Sequence, residues 1–368
     1  MRRLAFLLFF CLPSWASWNY RYPLTYDHTQ VGSSDSSGFP ALVSFNAAAM
    51  QDSAHGGDVQ SSSGADILFF SDSGLTTQLA SELDFYDNVN GIGWFWVEVP
   101  TLSHSSDGTI YMAVGNTSPP SRAANPWDAN YKGVWHLSNG TTLTANDSTT
   151  NANHGTPQNA PAAAGGKIDG GAGFAAASEQ YISTANLVNA AVVTVSAWVN
   201  LPSYPASNGT VVAFANGLLS GTTDKQLFIG SDGTVGFHVY DGGDKEADSG
   251  SAIGTGSWVY LVGVADGTHV IVYVDGSPAG SSLAGDTYTG YSVPNVFING
   301  LFPGGSVPTY MSVLIDESRV SNVARSADWI EAEYANQNAP GNIGSPGFWT
   351  FGARTALGIA RKRTIVVQ

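Results

Sequence analysis

Short apolar runs separated by Gly, Ser, Asp and Asn recur from Trp18 to about residue 118. The runs at 41–45, 66–70, 82–86, 94–99 and 109–114 have strand length and are rich in β-branched and aromatic residues, which predicts one small β-sandwich. Trp94 and Trp96 alternate with Phe95 and Val97, so one of these pairs is the less buried if only one face covers a core. A Pro-rich breaker at 118–122 then sets a boundary near residue 120. Beyond it the strand pattern resumes at 134–137, 192–199, 226–229, 235–240, 258–264, 270–274 and 296–298. Asp232-Gly233 and Asp275-Gly276 are hairpin signals, because Asp-Gly supplies the positive φ angles of tight turns. So many hairpins predict a two-sheet sandwich or jelly roll. One short helix is expected at 327–334 on the outside of the molecule, with Ser326 as N-cap and Asp328 in its first turn. No fixed-period repeat is present, which argues against a propeller or solenoid.

The two ends differ from this pattern. Arg2 and Arg3, an apolar stretch at 4–12 and Ser14-Trp15-Ala16 read as an export signal cleaved after Ala16. The stretch falls far short of the roughly 20 residues a spanning helix needs, so no integral membrane segment is expected in the mature chain. From about residue 345 the chain has no acidic residue but carries Arg354, Arg361, Lys362 and Arg363, and it reads as a solvated basic tail. The expected divisions are 1–16, 17–120, 121–344 and 345–368.

Composition narrows the class. Charged residues make up 12% of the chain, about half the usual quarter, and the 43 Gly and 17 Pro are spread between the apolar runs. The net charge is −15, and no basic cluster is large enough to neutralise a run of phosphates. Nucleic acid and anionic lipid are therefore disfavoured as partners. The one cysteine, Cys11, lies in the expected leader, so no disulfide staples the exported protein and each domain depends on its own core. An acidic protein, secreted or held in the cell envelope, is the expected class.

Few residues announce chemistry. The seven histidines form no His-x-His or His-Glu-x-x-His pattern, and neither Gly-x-Ser-x-Gly nor Gly-x-Gly-x-x-Gly occurs in a suitable place. Glycoside hydrolysis needs two carboxylates across a sugar bond. Glu82 with Asp84 share a face of an extended strand and read as exposed residues, whereas Asp316 and Glu317 point to opposite faces. At the end of an apolar run Asp316 and Glu317 can cap, pair with Arg319 or hold a metal. Trp135, Trp198 and Trp258 lie within apolar strands and are expected in cores. Tyr240, Tyr288 and Tyr291 lie at loop-like positions and are the candidates for stacking on sugar rings.

Several ordered motifs resemble a known family. Gly133-Val-Trp-His-Leu137, Asp147-Ser-Thr-Thr-Asn-Ala-Asn-His-Gly155, Gly166-Lys-Ile-Asp-Gly170, Val195-Ser-Ala-Trp-Val199 and Ile315-Asp-Glu-Ser-Arg-Val-Ser-Asn322 resemble the laminin-G-like, concanavalin A-like jelly rolls of exported bacterial proteins. Trp18-Asn-Tyr-Arg-Tyr-Pro23, Trp96-Val-Glu-Val-Pro100 and Ile110-Tyr-Met-Ala-Val-Gly-Asn116 are similar to domain of unknown function 2341, which often precedes such jelly rolls. The first resemblance implies two antiparallel sheets, one concave, used to bind carbohydrate or protein and often stabilised by calcium. It implies Asp147, Asn151, Asn153 and Asp316 as calcium ligands, although Thr150 stands where glycine is usual before the Asn. The expectation is an all-β, exported, non-catalytic binding or adhesion protein for extracellular or cell-surface carbohydrate. A structural cell-envelope component and a glycoside hydrolase or lyase are the alternatives.

Overall fold

The computed structural model describes residues 18–357 except 124, 138–141, 185–186, 188–189, 216–222, 241–243, 281–294 and 301–308. The expected leader with Cys11, and Arg361, Lys362 and Arg363, lie outside the described residues. The first half contains β1 (Tyr20–Tyr26), β2 (Ser36–Asn46), β3 (Leu68–Phe70), β4 (Ser81–Asp87), β5 (Ile92–Leu102) and β6 (Gly108–Val114). There follow β7 (Tyr131–Trp135), β8 (Thr156–Gln158), β9 (Ala162–Gly165), β10 (Gly170–Phe174), β11 (Tyr181–Thr184), β12 (Val193–Asn200), β13 (Gly209–Ala215) and β14 (Thr223–Ile229). The chain continues through β15 (Val235–Tyr240), β16 (Asp244–Asp248), β17 (Trp258–Ala265), β18 (Val270–Val274), β19 (Ser277–Pro278), β20 (Asn295–Ile298) and β21 (Val313–Ser321). Helix α1 (Ala327–Asn338), β22 (Trp349–Phe351) and β23 (Thr355–Ala356) close it. The fold is all-β, and no helix among the described residues is long and apolar enough to cross a membrane.

The first sandwich packs a sheet of order β22-β1-β6-β3, with β23 also on β1, against the three-stranded sheet β2-β5-β4. The second stacks β19-β18-β17-β12-β21-β10-β9, with β7 also on β21, against β16-β15-β14-β13-β20-β11-β8. Strand alternation divides β12 between two environments. Val193, Val195, Ala197 and Val199 enter the core between the two sheets, while Trp198 faces outward onto Tyr260 and α1. Trp135 and Trp198 are buried as expected, and Trp258 is partly buried.

Three expectations change. The run 94–99 is covered on both faces: Phe95 and Val97 line the first sandwich, while Trp96 is fully buried beneath the jelly roll. The described part of the expected tail, 345–357, is not free, because Phe348 and Trp349 are fully buried and β22 pairs with β1 through Tyr26 and Trp349. Its aromatic run supplied the signal, since Phe348, Trp349 and Phe351 carry more apolar surface than a solvated tail leaves in water. Helix α1 is not external either. It extends to Asn338 and buries Trp329, Ile330, Ala332, Glu333, Asn336 and Gln337 between the two sandwiches. One apolar cluster therefore joins Phe39, Trp96 and Val97 to Trp127, Val134, Ile168, Trp329 and Trp349.

Candidate functional site

Two arrangements stand out, one at the junction of the sandwiches and one on the jelly roll. At the junction, β4 brings Glu82 and Asp84, the residue after β7 brings His136, and β21 brings Glu317 and Arg319. Glu317 adopts φ +51° where the β12–β21 register shifts between Ser196 and Trp198. This bulge changes the alternation of β21: Val313 and Ile315 face the core before it and Val320 after it. Asp316, Glu317 and Arg319 thereby all serve the outer side of the sheet, against the expectation that Asp316 and Glu317 diverge.

Arg319 donates to Glu317 Oε2 at 2.7 Å and to Glu333 Oε1, and its guanidinium lies 4.3 Å from the centre of the Trp96 ring. The His136 ring stacks on Trp96 at 5.5 Å and 14°. His136 Nδ1 lies 2.8 and 3.0 Å from the Glu317 oxygens, and Nε2 lies 3.5 Å from Glu82 Oε2. Glu82 accepts from Trp127 Nε1 and Ser148 Oγ, both at 2.7 Å, while Trp96 Nε1 reaches Asp84 at 3.4 Å.

Neither Glu82 nor Asp84 is an exposed strand residue, since their side chains are 25% and 2% exposed. Burial pushes Asp84 up to about 7, with Glu317, Asp169 and Glu82 adding to it and His136 opposing. Burial alone would lower the affinity of His136 for its proton, but Glu317, Asp84 and Glu82 overcome it and hold the imidazole well above its usual range. Burial would raise Glu82, and the neighbouring His136 with the Ser148 and Trp127 donors outweighs it, so this carboxyl stays below the usual range. Behind the group lies a polar cavity of about 150 Å³ lined by Glu82, Leu83, Asp84, His136, Leu137, Thr144, Asn146 and Ser148. That is below the roughly 300 Å³ of ordinary small-molecule sites. These carboxylates bind internal donors rather than flank an open cleft.

The second arrangement is an open pocket of about 380 Å³ on the jelly roll, with Tyr204, Tyr310, Glu179, Ser203, Ser207 and Ser312 in its lining. Tyr204 is 38% exposed, and its hydroxyl is tied to the Ile253 carbonyl at 2.7 Å, which fixes the ring. Tyr310 stacks on Tyr181 at 6.1 Å. A sequence signal existed: Tyr204 sits in Pro202-Ser-Tyr-Pro205, a turn that holds an aromatic side chain at the surface.

Of the expected sugar-stacking residues, Tyr240 ends β15 opposite Asp244 and is half-buried, while Tyr288 and Tyr291 lie outside the described residues. The expected calcium ligands do not form one shell. Asp147 accepts from the Val134, Thr149 and Asn153 N–H groups and the Thr149 hydroxyl at 2.8–3.0 Å. The Asn151 and Asn153 amides donate to the Tyr131 and Lys132 carbonyls. Asp316 accepts instead from the Lys167, Ile168 and Glu317 N–H groups at 2.7–2.9 Å. A Cβ at Gly166 would lie 2.6 Å from Asp316 Oδ2, so glycine is needed for this clasp. Donors already occupy both carboxylates, which share no partner; the four residues do not fit a common calcium ion.

Residues 169–331 match the family model described as the concanavalin A-like lectin/glucanases superfamily, of the laminin G type. Residues 63–130 match that of domain of unknown function 2341. The chain thus carries a concanavalin A-like domain preceded by a domain of the second family. No curated protein matches the chain. Among solved structures, domain 4 of AbnA, a GH43 extracellular arabinanase from Geobacillus stearothermophilus solved with arabinotriose, is 22% identical with a TM-score of 0.45, and the match covers 56% of this chain and 98% of that one. The binding domain of Paraclostridial Mosquitocidal Protein 1 is 11% identical with a TM-score of 0.46, covering 57% of this chain and 53% of that one. The receptor binding domain of botulinum neurotoxin D is 12% identical with a TM-score of 0.42, covering 56% and 53%. The match thus spans about half the length of each of these two toxin domains.

Proposed function

We propose that this protein is exported and binds extracellular or cell-surface carbohydrate without cleaving it, as an adhesion or recognition module. The supporting observation is the contrast between the two arrangements. The jelly-roll pocket is open, within the size range of ligand sites, and presents a fixed tyrosine beside hydroxyl groups and Glu179. An aromatic face packs on the C–H face of a sugar ring, and flanking polar groups select hydroxyl positions. The junction carboxylates, which a hydrolase would need facing substrate, are turned inward onto His136 and Arg319.

The test is a glycan array on the exported protein, followed by calorimetry on the sugars retained. Tyr204→Ala should weaken binding by roughly tenfold, or about 1.4 kcal/mol, for loss of one stacking face. Loss in Tyr240→Ala, Tyr288→Ala or Tyr291→Ala instead would move the site to those residues. No saturable sugar binding would favour the structural envelope role, and release of reducing ends would overturn the non-catalytic reading.

A further inference from the structure

Among the described residues that line the jelly-roll pocket, Glu179 carries the one charge. The turn that bears it is pinned. Glu179 adopts φ +53°, a left-handed conformation uncommon for a residue with a side chain. Its N–H donates to the Ala176 carbonyl, and its own carbonyl accepts Asn159 Nδ2 at 2.7 Å. The next side chain, Gln180, accepts the Ala175 N–H at 2.7 Å and donates to the Ala160 carbonyl at 2.8 Å, while the Gln180 carbonyl accepts Asn299 Nδ2 at 3.0 Å. The Glu179 side chain itself is exposed, and no hydrogen bond reaches its carboxylate among the described residues. Its charge is felt inside the pocket. Burial is the main cause that pushes the Tyr310 phenol up to about 12, and the Glu179 carboxylate is the next.

No lysine or arginine offsets that charge. The segments that form the pocket belong to two stretches of sequence, 168–224 and 246–318, which contain neither residue type. The cations that bound these stretches are held elsewhere. Lys167 lies 4.7 Å from the centre of the Trp198 ring, and Arg319 is paired at the junction. Lys225 is buried beside Phe214, at the other end of β13 from Gly209 and the pocket, and Lys245 stands on edge strand β16, three strands from β13. A carboxylated or sulfated sugar entering here meets a like charge and finds no counter-charge to offset its lost water. A protonated amine is the opposite case. It has three N–H donors, Glu179 accepts one with charge assistance, and the Tyr204 and Tyr310 rings attract a cation. Resting on the reading of this pocket as a sugar site, we infer that it selects amino sugars with a free, protonated amine, and that Glu179 sets this preference over their N-acetylated and acidic counterparts.

The experiment titrates the full chain by calorimetry with glucosamine oligomers, N-acetylglucosamine oligomers of equal length and galacturonate oligomers, in mildly acidic buffer where the amines are protonated. The amino form should bind about tenfold tighter than the acetylated form, as one charge-assisted hydrogen bond provides, and the acidic form most weakly. Glu179→Gln should bring the ratio of amino to acetylated affinity close to one. Asp266→Asn should keep the parent's ratio, because Asp266 follows β17 at the Val193 end of β12, opposite the end that leads into the pocket. Tyr204→Ala should weaken both the amino and the acetylated form. A preference that survives Glu179→Gln, or that falls equally in Asp266→Asn, overturns the inference, since the amine would then answer to the acidity of the whole protein. Equal or tighter binding of the acetylated or acidic form overturns it too, and in each of these cases loss of binding in Tyr204→Ala still leaves the sugar site standing. Absence of binding by all three oligomers also overturns the inference, while the glycan array tests the sugar reading independently.

Discussion

The side-chain amide of Asn336 closes on the backbone of Leu42. Its Oδ1 accepts the Leu42 N–H at 2.6 Å and its Nδ2 donates to the Leu42 carbonyl at 2.9 Å, across 294 positions of sequence. Leu42 is central to β2, an outer strand of the three-stranded sheet, and the same carbonyl accepts Trp349 Nε1 at 2.8 Å. The Asn46 N–H is met likewise by Asn342 at 2.7 Å. An open strand edge is a template for aggregation, and here α1 and the chain after it seal that edge with side chains.

Asn336→Ala should therefore destabilise the protein by roughly 2–3 kcal/mol, because it leaves a buried backbone N–H without a partner. Denaturant unfolding should show a lowered midpoint with an unchanged slope. A change within error would mean that water or a neighbouring group replaces the amide.

Deleting residues 345–368 should do more damage than removing a solvated tail. It takes away buried Phe348 and Trp349 and uncovers the β1 edge that β22 and β23 pair with. The shortened protein should aggregate or lose cooperative unfolding, as size-exclusion chromatography and calorimetry would report. A monomer with the parent's melting temperature would contradict this packing.

Arg319→Met should cost about 3–5 kcal/mol, the usual penalty for leaving buried carboxylates without their counter-charge. Adding Glu333→Gln should recover part of the loss, since one of the two stranded charges is then removed. A double-mutant cycle on unfolding free energies measures this, and strict additivity would count against the pairing.

The two-sandwich architecture was legible because alternation and Asp-Gly turns are local signals, and the motif resemblance located both families. The junction cluster was not. Glu82, Asp84, His136 and Glu317 each look ordinary in their own segment, and His136 and Glu317 lie 181 positions apart. Their convergence depends on the β21 bulge at Glu317 and on docking of β4 against the second sandwich, neither of which has a short-range pattern. Tyr204 was not legible for another reason: a turn framed by Pro202 and Pro205 reads as a connection, and nothing local in it tells a displayed ring from a packed one. The metal reading of the Asp147 and Asp316 motifs was not decidable from sequence, because oxygen-rich loops serve equally to clasp backbone N–H groups, and only geometry separates that use from cation binding.

Alkaline pH should unfold the protein. Burial raises the phenols of Tyr22 and Tyr310 to about 12, and those of Tyr86, Tyr131 and Tyr260 are raised as well, burial being the largest cause in each. A raised folded value means the neutral phenol is favoured in the fold, so this stability is complete below the unfolded value near 10 and is lost as pH rises towards 12 and beyond. Phenolate absorbance should rise late and together with loss of circular dichroism. Free titration of all tyrosines near pH 10 in the folded protein would contradict their burial.

Calcium should leave the chelator-treated protein's melting temperature unchanged. An ion shared by Asp147, Asn151, Asn153 and Asp316 at a hundredfold over its dissociation constant would add about 2.7 kcal/mol, a shift of a few degrees. To gain it the ion would have to displace donors already in place. Asp147 holds the 147–153 loop against β7 through the Val134 N–H, and Asp316 holds the Lys167 and Ile168 N–H groups. Asp316→Ala should therefore destabilise the protein to the same extent with or without calcium, because it breaks a backbone clasp. Thermal melts of parent and variant, each with and without added calcium, distinguish the two roles. A calcium-dependent rise in the parent that vanishes in Asp316→Ala would restore the metal role and require the 147–153 loop to rearrange around the ion.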